Sequence, residues 1–139
     1  MALVVDTGPL YAWFDADDPD HERCGELLDG AEEPIVVPAP VVVELEWLAT
    51  SRGGRDAFAL CVENIESGGL EVAELTVADY GRAMALVRRF ADFPLGFVDA
   101  SVLVICERFG ERKVATLDHR HFSVIRPIHT RSLRLLPDA

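Results

Sequence analysis

A chain of 139 residues at 15.3 kDa is the length of one domain, expected here as residues 1–139, and excludes a multidomain assembly. Half of the residues are apolar and 27% are charged, which excludes intrinsic disorder, collagen-like repeats and a coiled-coil rod. Twenty-four acids against thirteen bases give a net charge of −11, so a bulk electrostatic grip on nucleic acid or an anionic membrane is the wrong first expectation.

Leu3-Val4-Val5 is a β-branched apolar run ended by Asp6-Thr7-Gly8-Pro9, the pattern of a buried strand stopping at a turn. Leu10 to Phe14 begins a helix, and Asp18-Pro19 offers an N-cap with Pro at the first helical position for a second one reaching Gly30. Pro34 to Pro38 reads as a strand, and from Pro40 the residues Val41, Leu45 and Leu48 recur at helical spacing until Gly53-Gly54. A helix from Arg55 to Glu66 follows, then a strand over Leu70 to Leu75. Thr76 caps a long helix to Phe90, and Val98 to Phe109 is an amphipathic helix stopped at Gly110. Lys113 to Leu117 reads as a fourth strand, Val124-Ile125 as a short fifth, and Leu133 to Leu136 as an added edge.

Strands that alternate with helices predict an α/β fold: a mainly parallel twisted sheet of about five strands, covered on both faces. Cys24, Cys61 and Cys106 are too scattered for a disulfide framework or a zinc site and read as small buried hydrophobes. No stretch reaches the roughly 18 uncharged apolar residues that span a bilayer, so the expected location is the cytoplasm.

In open parallel sheets the functional crevice lies beyond the carboxyl ends of the strands. Asp6 and Asp118 each terminate a predicted strand at that edge. Glu44 falls in the early turns of a helix leaving the edge, and Asp99 at the start of a helix that must begin at that edge in order to descend before the fourth strand climbs back. Glu44 shares a face with Val41, Leu45 and Leu48, and Asp99 with Val102, Leu103 and Cys106, so two helices break an apolar stripe with an acid. Each acid has a bland reading: Asp6 and Asp118 as turn or cap residues, Asp99 as an N-cap, Glu44 as an arginine's partner. Four of them at one edge, with Arg120 the sole nearby base in sequence, favour a hard divalent cation as the compensation for crowded carboxylates.

The segments Val5-Asp6-Thr7-Gly8-Pro9-Leu10, Val42-Val43-Glu44-Leu45, Phe97-Val98-Asp99-Ala100-Ser101 and Ala115-Thr116-Leu117-Asp118-His119-Arg120-His121-Phe122, in this order, resemble the PIN-domain ribonucleases, specifically the VapC-like toxins of bacterial toxin–antitoxin pairs. The resemblance implies a three-layer α/β/α fold and a Mg2+- or Mn2+-dependent endoribonuclease acting on RNA. It also implies a cognate VapB-like antitoxin, a homodimer and no membrane association. The family's metal-binding acids correspond to Asp6, Glu44, Asp99 and Asp118, with Asp6 and Asp99 as direct ligands and the other two completing the site or orienting waters. Thr7 corresponds to the small hydroxyl residue that hydrogen-bonds a carboxylate. Gly8 stands where relatives often have Ser or Asn.

Several residues have weaker readings. Arg120 could hold a scissile phosphate or be a surface charge. His119 and His121 could act as ligands or as acid and base, although hard-metal carboxylate sites seldom need imidazole. Asp15, Asp17, Asp18 and Asp20 read as a solvated loop ending in the Asp18 cap. Trp13, Phe14, Trp47 and Phe58 belong to the core or to an interface, and the resemblance adds that antitoxins cover apolar helical surface. Among rival folds, a HAD-like phosphatase needs an acid where Gly8 stands, and a receiver domain needs a lysine beside the acids, whereas Lys113 is predicted at the opposite edge. A PIN-like binding scaffold without turnover is the non-enzymatic alternative. The charge is also uneven, because residues 108–139 hold 7 bases and 3 acids. Arg112, Lys113, Arg120, Arg126, Arg131 and Arg134 are therefore candidates to face RNA, with Arg120 and Arg112 the candidate phosphate contacts.

Overall fold

The computed structural model describes residues 1–138; Ala139, the last residue of the expected domain, lies outside the described residues. The elements follow one another as β1 (Leu3–Val5), α1 (Thr7–Phe14), α2 (His21–Asp29), β2 (Ile35–Pro38), α3 (Ala39–Ser51), α4 (Arg55–Glu66), β3 (Glu71–Ala73), α5 (Val77–Arg89), α6 (Phe97–Phe109), β4 (Lys113–Ala115), α7 (His119–Val124) and β5 (Arg134–Leu136). Every strand pairing is parallel, in the order β3-β2-β1-β4-β5. The predicted α/β/α architecture with five parallel strands is therefore present. Chain order reverses between β1 and β4, where Val4 pairs with Val114 and Val5 with Ala115. A crevice opens at such a reversal because the connections leave in opposite directions.

The strands are short and lack the in-out alternation of a half-exposed sheet: β1 and β2 are buried at every position. Helix α6 is wrapped from all sides, with Ala100 through Cys106 buried without a break, and it contacts β1, β2, α3 and α5. Its end is fixed by Gly110 at φ +64°, a left-handed stop that a β-carbon disfavours. The three cysteines are free and buried, as their spacing suggested. Two ion-paired links tie the α5–α6 pair together: Arg82 forks onto Glu107 with two bonds of 3.0 Å, and Arg108 binds the Asp79 carboxylate.

Four expectations need correction. Val124-Ile125 is not a strand; it closes α7, and β4's outer edge is filled by β5, which pairs Lys113 with Arg134 and Ala115 with Leu136. The first helix begins at Thr7, not Leu10, because Pro9 falls in the first turn, where its missing N–H has no partner to lose. The second begins at His21 with Asp20 in the cap position. Asp18 does not cap it, because one of its oxygens accepts the Asp20 N–H at 2.8 Å and the other pairs with Arg52 at 3.2 Å. The strand expected over Leu70 to Leu75 is confined to Glu71–Ala73.

Candidate active site

Asp6 follows β1 directly and Asp118 stands three residues beyond β4, on the two sides of the chain reversal. Asp99 lies in the first turn of α6 and Glu44 in the second turn of α3, which springs from the end of β2. All four line one cavity of about 520 Å³ together with Thr7, Gly8, Trp47, Leu48 and Leu117. The four acids singled out from sequence are thus brought together by four separate elements. Gly8 fits beside Leu117, whose Cδ1 would stand 3.3 Å from a β-carbon there, so the small residue answers to this neighbour.

Asp6 occupies the backbone cap position of α1, yet its carboxylate does not cap the helix. It accepts instead from the Thr116 hydroxyl at 3.0 Å. The Thr116 oxygen in turn accepts the Asp118 backbone N–H at 3.0 Å. Asp118 does cap a helix: one oxygen accepts the His121 N–H at 3.1 Å, while the other lies 2.6 Å from His121 Nδ1. Gly96 holds the N-cap position of α6, so the bland reading of Asp99 as that cap does not hold. Glu44 has no ion-pair partner among the described residues, so its bland reading fails.

The electrostatics follow from this crowding. Burial pushes the Asp6 carboxyl up to about 7, the Asp99 charge adds to the push and Glu44 contributes less, against the lowering effect of the Thr7 backbone and Thr116 hydrogen bonds. The Asp99 carboxyl is also raised, first by burial and then by Asp118 and Glu44, with His121 opposing. A fold that raises the pKa of buried acids holds them at a cost, which a cation among them removes. The donors are hard carboxylate oxygens, and the buried Thr7 hydroxyl has no hydrogen-bond partner, so the set fits a hard divalent ion. Among the described residues no three His, Cys, Asp or Glu side chains close into a ready-made ligand cluster. An open, acid-lined cavity of this kind suits an ion that keeps much of its water.

The other candidates divide. Arg120 is exposed in the first turn of α7, beside Asp118. Arg112 is not brought to the site: it precedes β4, and its carbonyl accepts the Arg134 N–H, so both sit at the sheet's amino edge, opposite the acids. Lys113 is there too, paired with Glu33. A strand that delivers an acid from its end must begin on the other side. One contributor was not assigned from sequence: Thr116, whose only signal was a hydroxyl two residues before Asp118; His121, read from sequence as a ligand or an acid–base group, has its Nδ1 near both Asp118 and Asp99.

Comparison with known proteins agrees with this geometry. The PIN domain family matches residues 3–126. Ribonuclease VapC26 of Mycobacterium tuberculosis is 35% identical over 135 residues, 97% of this chain and 100% of that protein. Among solved structures, VapC20 of Mycobacterium tuberculosis, a sarcin-ricin loop cleaving toxin, superposes with a TM-score of 0.74 at 20% identity, over 81% of this chain and 86% of that one. VapBC2 of Rickettsia felis, solved bound to a DNA fragment from its promoter, gives 0.67 at 14% identity over 97% of both chains. The acid-lined reversal point, the all-parallel order and these similarities lead to one assignment: the chain belongs to the PIN-domain family, in its VapC-like branch.

Proposed function

We propose that this chain is a metal-dependent endoribonuclease toxin that hydrolyses RNA phosphodiester bonds. The carrying observation is the convergence of Asp6, Glu44, Asp99 and Asp118 on one cavity with the Asp6 carboxyl raised to about 7. Asp6 and Asp99 would hold the principal Mg2+ or Mn2+ directly, with Glu44 and Asp118 completing the site or orienting waters. Bound there, the ion supplies a water of lowered pKa and offsets charge on the leaving oxygen. Thr116 holds Asp6 by its hydroxyl, the unpartnered Thr7 hydroxyl at the same cavity would serve a carboxylate or a metal-bound water, and Arg120 would take a phosphate oxygen.

A small VapB-like antitoxin and a second copy of this chain are the proposed protein partners. Exposed Val43, Trp47, Val77 and Tyr80 surround or adjoin an apolar groove of about 630 Å³ next to the acid cavity, a surface suited to protein contact. Among the described residues no helix is long and apolar enough to cross a membrane; the proposed location is the cytoplasm. Cleavage of a defined RNA pool by antitoxin-free protein tests the activity. Cutting is expected with Mg2+ or Mn2+ and not with EDTA or in Asp99→Asn. Persistence in either control rejects the metal mechanism, and partner binding without cleavage supports a scaffold.

A further inference from the structure

His121 borders the acid site, against two of its four acids, without belonging to the expected set of four. Its Nδ1 lies 2.6 Å from Asp118 Oδ2 and 3.3 Å from Asp99 Oδ2. The atom is buried, and neither approach has the angle of a hydrogen bond. The ring is held from outside as well: its centroid is 5.0 Å from that of Phe93, with the planes at 76°, an edge-to-face contact that fixes ring orientation. Its backbone N–H meanwhile binds the other oxygen of Asp118, so Asp118 is engaged by main chain and side chain of one residue.

A bare nitrogen this near two carboxylate oxygens would be repelled by both, so Nδ1 carries the proton, which lies off the line to either oxygen and is shared between them. Asp99 lies in α6 and Asp118 caps α7, and among the described residues no other side chain is ion-paired with both. We infer that His121 is a positioning residue: its Nδ1–H bridges Asp99 and Asp118, sets the separation of the α6 and α7 acids, and so prepares the cavity for the divalent ion. The inference rests on the metal-site reading above and extends it to a residue outside the four acids. Direct ligation by His121 is the competing arrangement. It is disfavoured because the nitrogen faces carboxylate oxygens at hydrogen-bonding distance, and because His121, unlike the four acids, is not among the residues lining the cavity.

The test measures Mn2+ affinity by calorimetry in the wild-type protein, His121→Phe, His121→Asn and Asp99→Asn. Asn places an amide N–H the same number of bonds from the backbone as Nδ1, whereas Phe keeps the ring and its contact with Phe93. His121→Phe is expected to bind Mn2+ about 10–100-fold more weakly, the usual loss of a residue that orients ligands, and His121→Asn to recover most of it. Unchanged affinity in a folded His121→Phe overturns the inference. Two measurements on the wild-type protein need no variant: 15N NMR of the Mg2+-loaded form should show a proton on His121 Nδ1, and pulsed EPR of bound Mn2+ should show no directly coordinated imidazole nitrogen. A bare Nδ1 or a coordinated nitrogen overturns the positioning role. If wild-type protein binds no Mn2+, or Asp99→Asn binds it equally well, the metal-site reading itself falls and this inference with it.

Discussion

Thr116 donates its hydroxyl proton to Asp6 Oδ2 across 3.0 Å while accepting the backbone N–H of Asp118, so one fully buried side chain joins the acid after β1 to the acid after β4. The valine isostere removes both bonds and leaves the volume. Thr116→Val is expected to lower RNA cleavage about 10–100-fold and to cost about 1–3 kcal/mol for the unpaired buried groups. Thr116→Ser should retain most activity. Cleavage rates and chemical denaturation of both variants check this, and full activity in Thr116→Val would sink it.

Asp6 predicts how stability varies with pH. Its carboxyl rises from 3.8 to about 7 on folding, so between those values the folded metal-free chain binds more protons than the unfolded one. Stability should therefore fall as pH rises from about 4 to about 7 and stay low above that. Asp6→Asn removes the buried charge and should stabilise the metal-free protein at pH 8, on the order of 2 kcal/mol, while abolishing cleavage. Thermal melts in EDTA at pH 5 and pH 8 decide the point: the gain must be larger at pH 8.

The same group sets the pH dependence of metal binding. A proton and a cation compete for Asp6, so affinity for Mn2+ should increase from pH 6 to pH 8 and binding should release protons. Calorimetry in two buffers of different ionisation enthalpy would detect that release. Affinity flat across this range would show that Asp6 is not among the groups the ion displaces protons from.

Arg120 and Arg112 separate site from surface. Arg120 stands in the first turn of α7 next to Asp118, whereas Arg112 precedes β4 on the opposite edge of the sheet. Arg120→Ala should weaken RNA cleavage several-fold, about the loss of one phosphate contact, and reduce its salt sensitivity. Arg112→Ala should leave both unchanged.

Arg82 offers a check on the scaffold alone. Its fork onto Glu107 neutralises a side chain only 7% exposed, whose Oε2 also accepts the Ile128 N–H at 2.9 Å. Arg82→Ala leaves that carboxylate unpaired and should cost about 1–3 kcal/mol in denaturant unfolding, with Mn2+ affinity intact.

Much of this arrangement was legible in the residue order. The β-branched runs at Leu3–Val5 and Ile35–Pro38, the punctuation by glycine and proline, and the acids Glu44 and Asp99 interrupting apolar stripes point to a parallel sheet with four carboxylates at one edge, because periodicity is local and strands that alternate with helices are joined by parallel crossovers. Tertiary structure alone decided the rest. Whether Thr116 or Thr7 would bind Asp6 depends on β4 lying beside β1, a pairing between residues 110 positions apart. Whether Val124-Ile125 or Arg134–Leu136 would fill the outer edge was settled by competition for β4. Arg112 shows the limit of counting charge along the chain, since basic residues close in sequence lie at opposite ends of one strand. His121 shows the limit of reading residue types singly: an imidazole becomes part of an acid site only when α6 and α7 present Asp99 and Asp118 on either side of it.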